Sequence, residues 1–161
     1  MHPAPSDNPG DLPDRIIRPA DAVPDGFVMD TNVVLDLWLF CNPGLNALRD
    51  ALREGRLIWL ATLAMLDELG HVRARPFPAR HRALPELTQP PALTVAPPLQ
   101  AAPWRCRDRS DQMFIDLAWQ QRCPLLTRDH HLLSLRRKAA RLGALIITPE
   151  EGLPVLLPRV G

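Results

Sequence analysis

Four acidic residues are spaced so that they could act together in one reaction: Asp30, Glu68, Asp111 and Asp129. Asp30 directly follows Phe27–Met29, an apolar run long enough for a buried strand and too short for a helix. Asp129 comes two residues after Pro124–Thr127, another short strand-like run. In a parallel sheet the carboxyl ends of the strands share one edge, and ligands bind there. We therefore expect Asp30 and Asp129 to approach each other.

The other two acids belong to predicted helices. Glu68 lies one to two turns into a helix that follows the strand Leu57–Leu60, and Asp111 lies in the first turn of a helix beginning near Arg109. Carboxylates forced together repel, and each would have a raised pKa unless a cation joined them. Oxygen ligands without a His or Cys cluster favour Mg²⁺ or Mn²⁺. Such an ion activates water and neutralises an attacked phosphodiester, so hydrolysis of a nucleic acid is the natural chemistry.

Each acid also has a plain structural interpretation. Asp30 could be only a turn residue or helix cap, and Glu68 could lie on a solvated helix face. Asp111 is a favourable acid for a first helical turn. Asp129 could cap the next helix. The rest of the chain has to separate these alternatives.

Strands and helices alternate along the chain, and no Asn-Gly or Asp-Gly turn joins two strands. This pattern predicts a three-layer α/β/α domain with a mostly parallel sheet of four or five strands. Thr31 and Asn32 can cap the helix after the first strand, and Thr62 can cap the helix that carries Glu68. A short helix is expected around Ala79–Leu87. After the last strand, Pro149 is expected to open only a short turn.

The chain has 161 residues, which suits one domain with a real core. Residues 1–25 are rich in proline and aspartate, so we expect a flexible extension, with residues 26–161 forming the domain. No apolar run approaches a membrane span, and no secretion signal is visible. The three cysteines are odd in number and widely spaced, which favours reduced thiols and a cytoplasmic location.

Arginine supplies almost all of the positive charge, since Lys138 is the single lysine in a chain of net charge +1. Arginine suits bidentate phosphate contacts, although a GC-rich genome would also enrich it. Tyrosine is absent and aromatic residues are few, which argues against an RNA-binding sheet that stacks bases on paired aromatics. Trp104 stands beside Arg105 and Arg107, so stacking on a base is a further interpretation.

Four segments together resemble the PIN-domain family of ribonucleases, and within it the group assigned to toxin–antitoxin systems. The likeness covers about residues 27–153 and rests on VMDTNVVLD, LAMLDEL, CRDRSDQMFIDLA and LLTRDHHLL. The first segment alone is weak, because haloacid dehalogenase-like proteins also begin with a strand-end Asp. Those proteins need a second Asp two residues later, where this chain has Asn32.

The resemblance implies roles residue by residue. The family's four metal-binding acids match Asp30, Glu68, Asp111 and Asp129. This match selects Glu68 over its neighbour Asp67. Asn32 matches a polar residue beside the site and is expected to orient Asp30 or a bound water. Two further acids are expected to stand aside from the metal: Asp108 at the rim and Asp116 pointing elsewhere.

The chain departs from the family pattern next to the fourth acid. Arg128 replaces the usual Gly, and His131 stands where another Asp is common. Either the metal site is less acidic, or these two side chains contact the phosphate. A positive rim would attract single-stranded RNA. Candidate RNA contacts are Arg73, Arg75, Arg107, Arg128 and His131.

These observations predict a ribonuclease that depends on Mg²⁺ or Mn²⁺ and acts on RNA. The resemblance further implies the toxin of a toxin–antitoxin pair, a cognate antitoxin protein as partner, and a homodimer. One alternative is a non-catalytic module that keeps the acidic cleft but holds RNA or a protein through its arginines. A metal-dependent phosphatase on a similar sheet is a third.

Overall fold

Five short parallel strands form the centre of the domain in a computed structural model that describes residues 26–78 and 80–157. The expected N-terminal extension, residues 1–25, lies outside the described residues. The strands are β1 Gly26–Met29, β2 Ile58–Ala61, β3 Ala92–Thr94, β4 Leu125–Leu126 and β5 Ile146–Ile147. Their order across the sheet is β3-β2-β1-β4-β5, and every pairing between neighbours is parallel. The predicted parallel sheet is therefore confirmed.

Helices connect the strands and flank the sheet, which gives the three-layer arrangement expected from the sequence. They are α1 Thr31–Trp38, α2 Asn46–Arg53, α3 Leu63–Arg73, α4 Pro85–Thr88, α5 Gln112–Gln121, α6 His130–Leu133, α7 Arg136–Arg141 and α8 Pro149–Leu156. Two of them end before a left-handed glycine, Gly55 after α2 and Gly143 after α7. Glycine adopts this conformation without the steric cost of a Cβ.

The middle strand β1 is buried along its whole length because helices cover both sheet faces. Val28 lies opposite Leu125 and Met29 lies opposite Leu126, so β1 and β4 end at the same level. The backbone N–H of Asp30 continues the ladder by donating to the Leu126 carbonyl over 3.2 Å. This register places the residues after both strands side by side.

Two expectations about helices need correction. Residues 149–156 form the eight-residue helix α8 rather than a short turn, because Thr148 caps it and Pro149 occupies its first turn, where no N–H is needed. The short helix expected at 79–87 is only α4, Pro85–Thr88, although residue 79 itself lies outside the described residues. Neither change moves a predicted acid.

Within residues 26–78 and 80–157, no helix is both long and apolar enough to span a membrane.

Candidate active site

Asp30 is a buried carboxylate at the carboxyl end of the central strand, with 3% of its surface exposed. Its Oδ1 accepts a hydrogen bond from the Val33 backbone N–H over 2.9 Å, which caps α1. Its Oδ2 accepts a hydrogen bond from the Thr127 hydroxyl. Burial raises the pKa of Asp30, the two hydrogen bonds oppose that shift, and the negative charge of Asp129 adds to it. Asp30 is thus a helix cap and also part of an acidic cluster.

Thr127 connects the two strand-end acids, and the sequence reasoning missed it. Its side chain is fully buried. The hydroxyl donates to Asp30 and accepts a hydrogen bond from the Asp129 backbone N–H over 2.9 Å. Asp129 in turn caps α6, because its Oδ1 accepts from the His131 N–H over 2.7 Å. The available signal was a threonine directly after an apolar strand and two residues before an acid, which suits a strand-end hydrogen bond.

Asp111 reaches the same cluster from another element. It ends a 3₁₀ turn, Arg109–Asp111, that leads into α5. Burial raises the pKa of Asp111 to about 7, helped by a hydrogen bond with the Asp129 carboxyl group and by the charges of Asp129, Asp108 and Asp30. Two carboxyl groups can share a hydrogen bond only if one of them carries a proton. Asp111 and Asp129 therefore form a hydrogen-bonded carboxyl pair, and the negative charge of Asp30 also acts on Asp111.

Glu68 is placed beside α1 by a hydrogen bond rather than within the carboxyl pair. The Thr31 hydroxyl donates to Glu68 Oε2 over 2.8 Å, and Thr31 directly follows Asp30. Thr62 caps α3, with its Oγ1 accepting from the Met65 N–H over 3.4 Å. Glu68 is half-buried, whereas its neighbour Asp67 is exposed. The structure therefore turns Glu68, not Asp67, toward the residue after Asp30.

A family model described as the PIN domain matches residues 26–131. The chain belongs to the PIN domain family. The match covers well over half of the chain and includes all four acids of the cluster region. PIN domains are generally nucleases, and they generally use divalent metal ions. Comparisons with curated proteins and with solved structures found no match.

The donor set of this PIN domain fits a divalent cation by its chemistry. Oxygen is the only donor type among the four acids, and the pKa values of Asp30 and Asp111 are raised, chiefly by burial, with a contribution from neighbouring carboxylates. A bound cation would favour the ionised forms and remove that repulsion. Across residues 26–78 and 80–157, however, no three or more His, Cys, Asp or Glu side chains are arranged to hold a metal ion.

Other residues expected near the site are exposed. Asn32 is exposed in the first turn of α1, and Asp108 is exposed, with its Oδ1 accepting from the Ser110 N–H over 3.0 Å. Arg73 and Arg75, at and beyond the end of α3, are exposed, as is Arg107. None of these placements tests a contact with RNA.

Arg128 is held by two acids that the sequence reasoning did not connect with it. Its guanidinium lies 2.8 Å from Asp36 Oδ2 and 2.6 Å from Glu150 Oε1. Asp36 is half-buried and also accepts from Asn42 Nδ2 over 3.1 Å. His131 is half-buried, with its ring 4.2 Å from that of His130. The phosphate contacts expected of Arg128 and His131 stay predictions.

Two further expectations have clear outcomes. Asp116 points away from Asp111, as expected, because its Oδ1 accepts from the Ala102 N–H over 2.8 Å. The base-stacking interpretation of Trp104 is wrong for this conformation, since the indole is buried and packs edge-on against Trp119 at 5.1 Å. Both residues hold the loop that precedes α5 against the core, Asp116 through a hydrogen bond to its backbone and Trp104 through burial of its indole.

Proposed function

We propose that this protein is an endoribonuclease that depends on Mg²⁺ or Mn²⁺ and hydrolyses RNA phosphodiesters. The observation that carries the proposal is the placement of Asp30, a buried carboxylate at the end of the central strand, next to the Asp111–Asp129 pair. The charge of Asp129 helps to raise the pKa values of both Asp30 and Asp111, and the three carboxyl groups come from three different elements. Such crowding is a cost to the fold and is typical of a functional site.

In this proposal four acids hold the ion, directly or through water: Asp30, Glu68, Asp111 and Asp129. When bound, the ion supplies a water of lowered pKa and neutralises charge on the phosphodiester. Thr127 fixes the orientation of Asp30, and Asn32, exposed two residues after it, orients a water or the substrate. The RNA backbone contacts Arg73, Arg75, Arg107, Arg128 and His131.

The decisive variant is Asp30→Asn, assayed on single-stranded RNA with Mn²⁺. The amide keeps an oxygen that can cap α1, so the variant should fold with a melting temperature near that of the wild type. It should lose RNA cleavage, because the central carboxylate is gone. Asp67→Asn, a neutralised and exposed acid next to Glu68, is the control and should cleave normally. Cleavage by Asp30→Asn at the wild-type rate would contradict the proposal.

A non-catalytic module that binds RNA or a protein is the second candidate. The observation in its favour is that the described residues offer no three-donor arrangement for a metal ion. Titration of Mn²⁺ during thermal unfolding separates the two functions. A rise in melting temperature that Asp30→Asn abolishes supports the nuclease, because only the folded state can bind the ion. No rise supports the binding module.

We further propose that the protein is the toxin of a toxin–antitoxin pair, acting in the cytoplasm and restrained by a cognate antitoxin, with a homodimer as its expected form. This part rests on the sequence resemblance. Expression of the wild type should stop growth of the host, and Asp30→Asn should not. Co-expression of the product of a short neighbouring open reading frame should restore growth. Unimpaired growth with the wild type alone would count against a toxin.

A further inference from the structure

Residues 101–107 alternate between the core and solvent although they form no strand. Ala102, Trp104 and Cys106 are buried, whereas Arg105 and Arg107 are exposed. The segment is irregular, with bends at Pro103, Trp104 and Arg107. The buried residues anchor it, and the two exposed arginines form part of its outer face.

Side chains of α5 hold this segment in place. Gln112 Oε1 accepts from the Cys106 N–H over 2.6 Å, and its Nε2 donates to the Trp104 carbonyl over 2.9 Å. The same Nε2 donates to Asp116 Oδ1 over 2.8 Å, and Asp116 accepts from the Ala102 N–H. The backbone is thus hydrogen-bonded at each of the three buried positions. A segment fixed in this way presents its arginines at defined points, which lowers the entropic cost of binding.

The outer face of the segment borders a hollow of about 560 Å³. Its lining consists of Arg105, Cys106, Arg107, Arg109 and Gln112. This volume is in the range of ligand sites in proteins. Three guanidinium groups around one hollow suit a ligand with several negative charges, and their forked donors match phosphate oxygens. None of these lining residues is aromatic, so the hollow offers no platform for stacking a base.

The hollow adjoins the acidic cluster. Arg109 begins the 3₁₀ turn that ends at Asp111. Burial raises the pKa of the Cys106 thiol in the wall of the hollow, and the charges of Asp111, Asp129 and Asp108 raise it further. These carboxylates therefore lie close enough to the hollow for their charges to affect the Cys106 thiol. A chain of phosphates that occupied the hollow would continue toward the acids.

We propose that this arginine hollow, formed by Arg105, Arg107 and Arg109, binds successive phosphates of a single-stranded RNA beside the site of cleavage. Recognition is of the backbone and is independent of base identity. The position of the cleavage site rests on the proposed nuclease function, whereas the binding does not. An acidic protein segment is the competing occupant.

The test measures binding without cleavage, with Asp30→Asn as the background and EDTA present. Fluorescence anisotropy gives the affinity for a short oligouridylate and a short oligoadenylate across a series of salt concentrations. In this background we expect a smaller slope of log affinity against log salt for the triple variant Arg105→Gln/Arg107→Gln/Arg109→Gln. The loss of three phosphate contacts at about 0.7 each should reduce the slope by about 2. Both oligonucleotides should be affected equally.

A matched control removes three positive charges elsewhere. Arg137, Lys138 and Arg141 are exposed on α7, and the variant Arg137→Gln/Lys138→Gln/Arg141→Gln should leave the slope nearly unchanged. A second variant, with lysine at 105, 107 and 109, keeps the charge but loses the forked donors, and it should bind RNA more weakly than the arginines do. Thermal unfolding of each variant verifies its fold.

The outcomes separate the two proposals. If the glutamine variant of the hollow keeps the wild-type affinity and salt slope, the hollow is not an RNA site and an acidic protein segment is the remaining occupant. If that variant loses RNA binding but the protein with intact Asp30 never cleaves RNA, the hollow is supported as an RNA-binding site. The proposed nuclease function is then rejected. A large difference between the two oligonucleotides would overturn backbone-only recognition.

Discussion

The hydroxyl of Thr31 donates a hydrogen bond to Glu68 Oε2 over 2.8 Å and thereby joins the first residue of α1 to the middle of α3. Thr31 directly follows Asp30. The same short segment therefore holds Asp30 at the end of β1 and orients Glu68 through this bond. A partner that orients a metal-binding carboxylate typically contributes 10–100-fold to metal affinity or activity. Under the proposed function, Thr31 has this supporting role.

We predict that Thr31→Val raises the Mn²⁺ concentration needed for half-maximal RNA cleavage by about 10-fold or more. Valine keeps the shape of threonine but cannot donate to Glu68. Thr31→Ser keeps the hydroxyl and is the matched control, with a metal requirement close to that of the wild type. Equal metal requirements for all three proteins would show that the bond to Glu68 does not support the site.

The Asp111–Asp129 pair should make the stability of the metal-free protein depend on pH. The pKa of Asp111 is about 7 in the folded state, against an ordinary value of 3.8. A carboxyl group with a raised folded pKa favours folding while it is protonated in the folded state. Its contribution is complete below the ordinary value and is lost as the pH rises through about 7.

We therefore predict that Asp111→Asn, which cannot ionise, gains stability relative to the wild type as the pH rises from about 4 to about 8. Melting temperatures of both proteins in EDTA measure this difference, and other titrating groups largely cancel in the comparison. Asp50→Asn, on the exposed side of α2, is the control and should show no such trend. A difference that stays constant with pH would contradict the carboxyl pair.

The sequence was sufficient to predict the parallel sheet, because its strands are short apolar runs separated by amphipathic helices. Asp30 and Asp129 could be predicted to meet, since both follow parallel strands that end at one sheet edge. Thr127 was missed, because the burial that makes its hydroxyl informative is visible only after the strands pair. The sequence presented helix capping and a metal-binding role as alternatives for Asp30. In the structure one carboxylate oxygen caps α1 and the other accepts from Thr127, so capping does not exclude the other role.

Long-range ion pairs could not be read from the sequence. Asp36 and Arg128 are 92 residues apart, and the β1–β4 pairing brings α1 close to the residues that follow β4. The helix α8 was missed for a different reason. Pro149, Gly152 and Pro154 suggest a turn, but Pro149 occupies the first helical turn, and packing of Leu156 on the core compensates for poor intrinsic propensity.

The Arg128 guanidinium lies 2.6 Å from Glu150 Oε1, so under the proposed function Glu150 competes with RNA phosphate for Arg128. We predict that Glu150→Gln strengthens binding of single-stranded RNA. In the Asp30→Asn background, the slope of log affinity against log salt should become steeper by up to about 0.7, the contribution of one phosphate contact. The free energy of unfolding should fall by less than about 1 kcal/mol, because the ion pair is largely exposed.

The matched control is Glu54→Gln, which removes the same charge and breaks the exposed pair with Arg56 at the end of α2. This end precedes β2 and so lies at the edge of the sheet opposite the acids. Glu54→Gln should leave the salt slope unchanged. Identical slopes for both variants would mean that Arg128 does not reach the RNA.

Gly152 of α8 packs directly against the strand that leads to Thr127. A Cβ at this position would lie 2.5 Å from Leu126 Cδ2 and 3.5 Å from Ile147 Cδ1. Both side chains are buried, so neither can move freely away. We predict that Gly152→Ala destabilises the protein by about 1–3 kcal/mol, the usual cost of overpacking. Urea unfolding measures the change.

Gly70→Ala in α3 is the control that separates packing from helix propensity. A Cβ there meets only Arg73 Nε, at 3.9 Å, which is an ordinary contact. Alanine should stabilise this helix position by about 0.5–1 kcal/mol, because glycine loses more backbone entropy on folding. The two substitutions should therefore have opposite signs. If Gly152→Ala is also stabilising, Leu126 yields to the methyl group, and the wall behind Thr127 is less tightly packed than the structure implies.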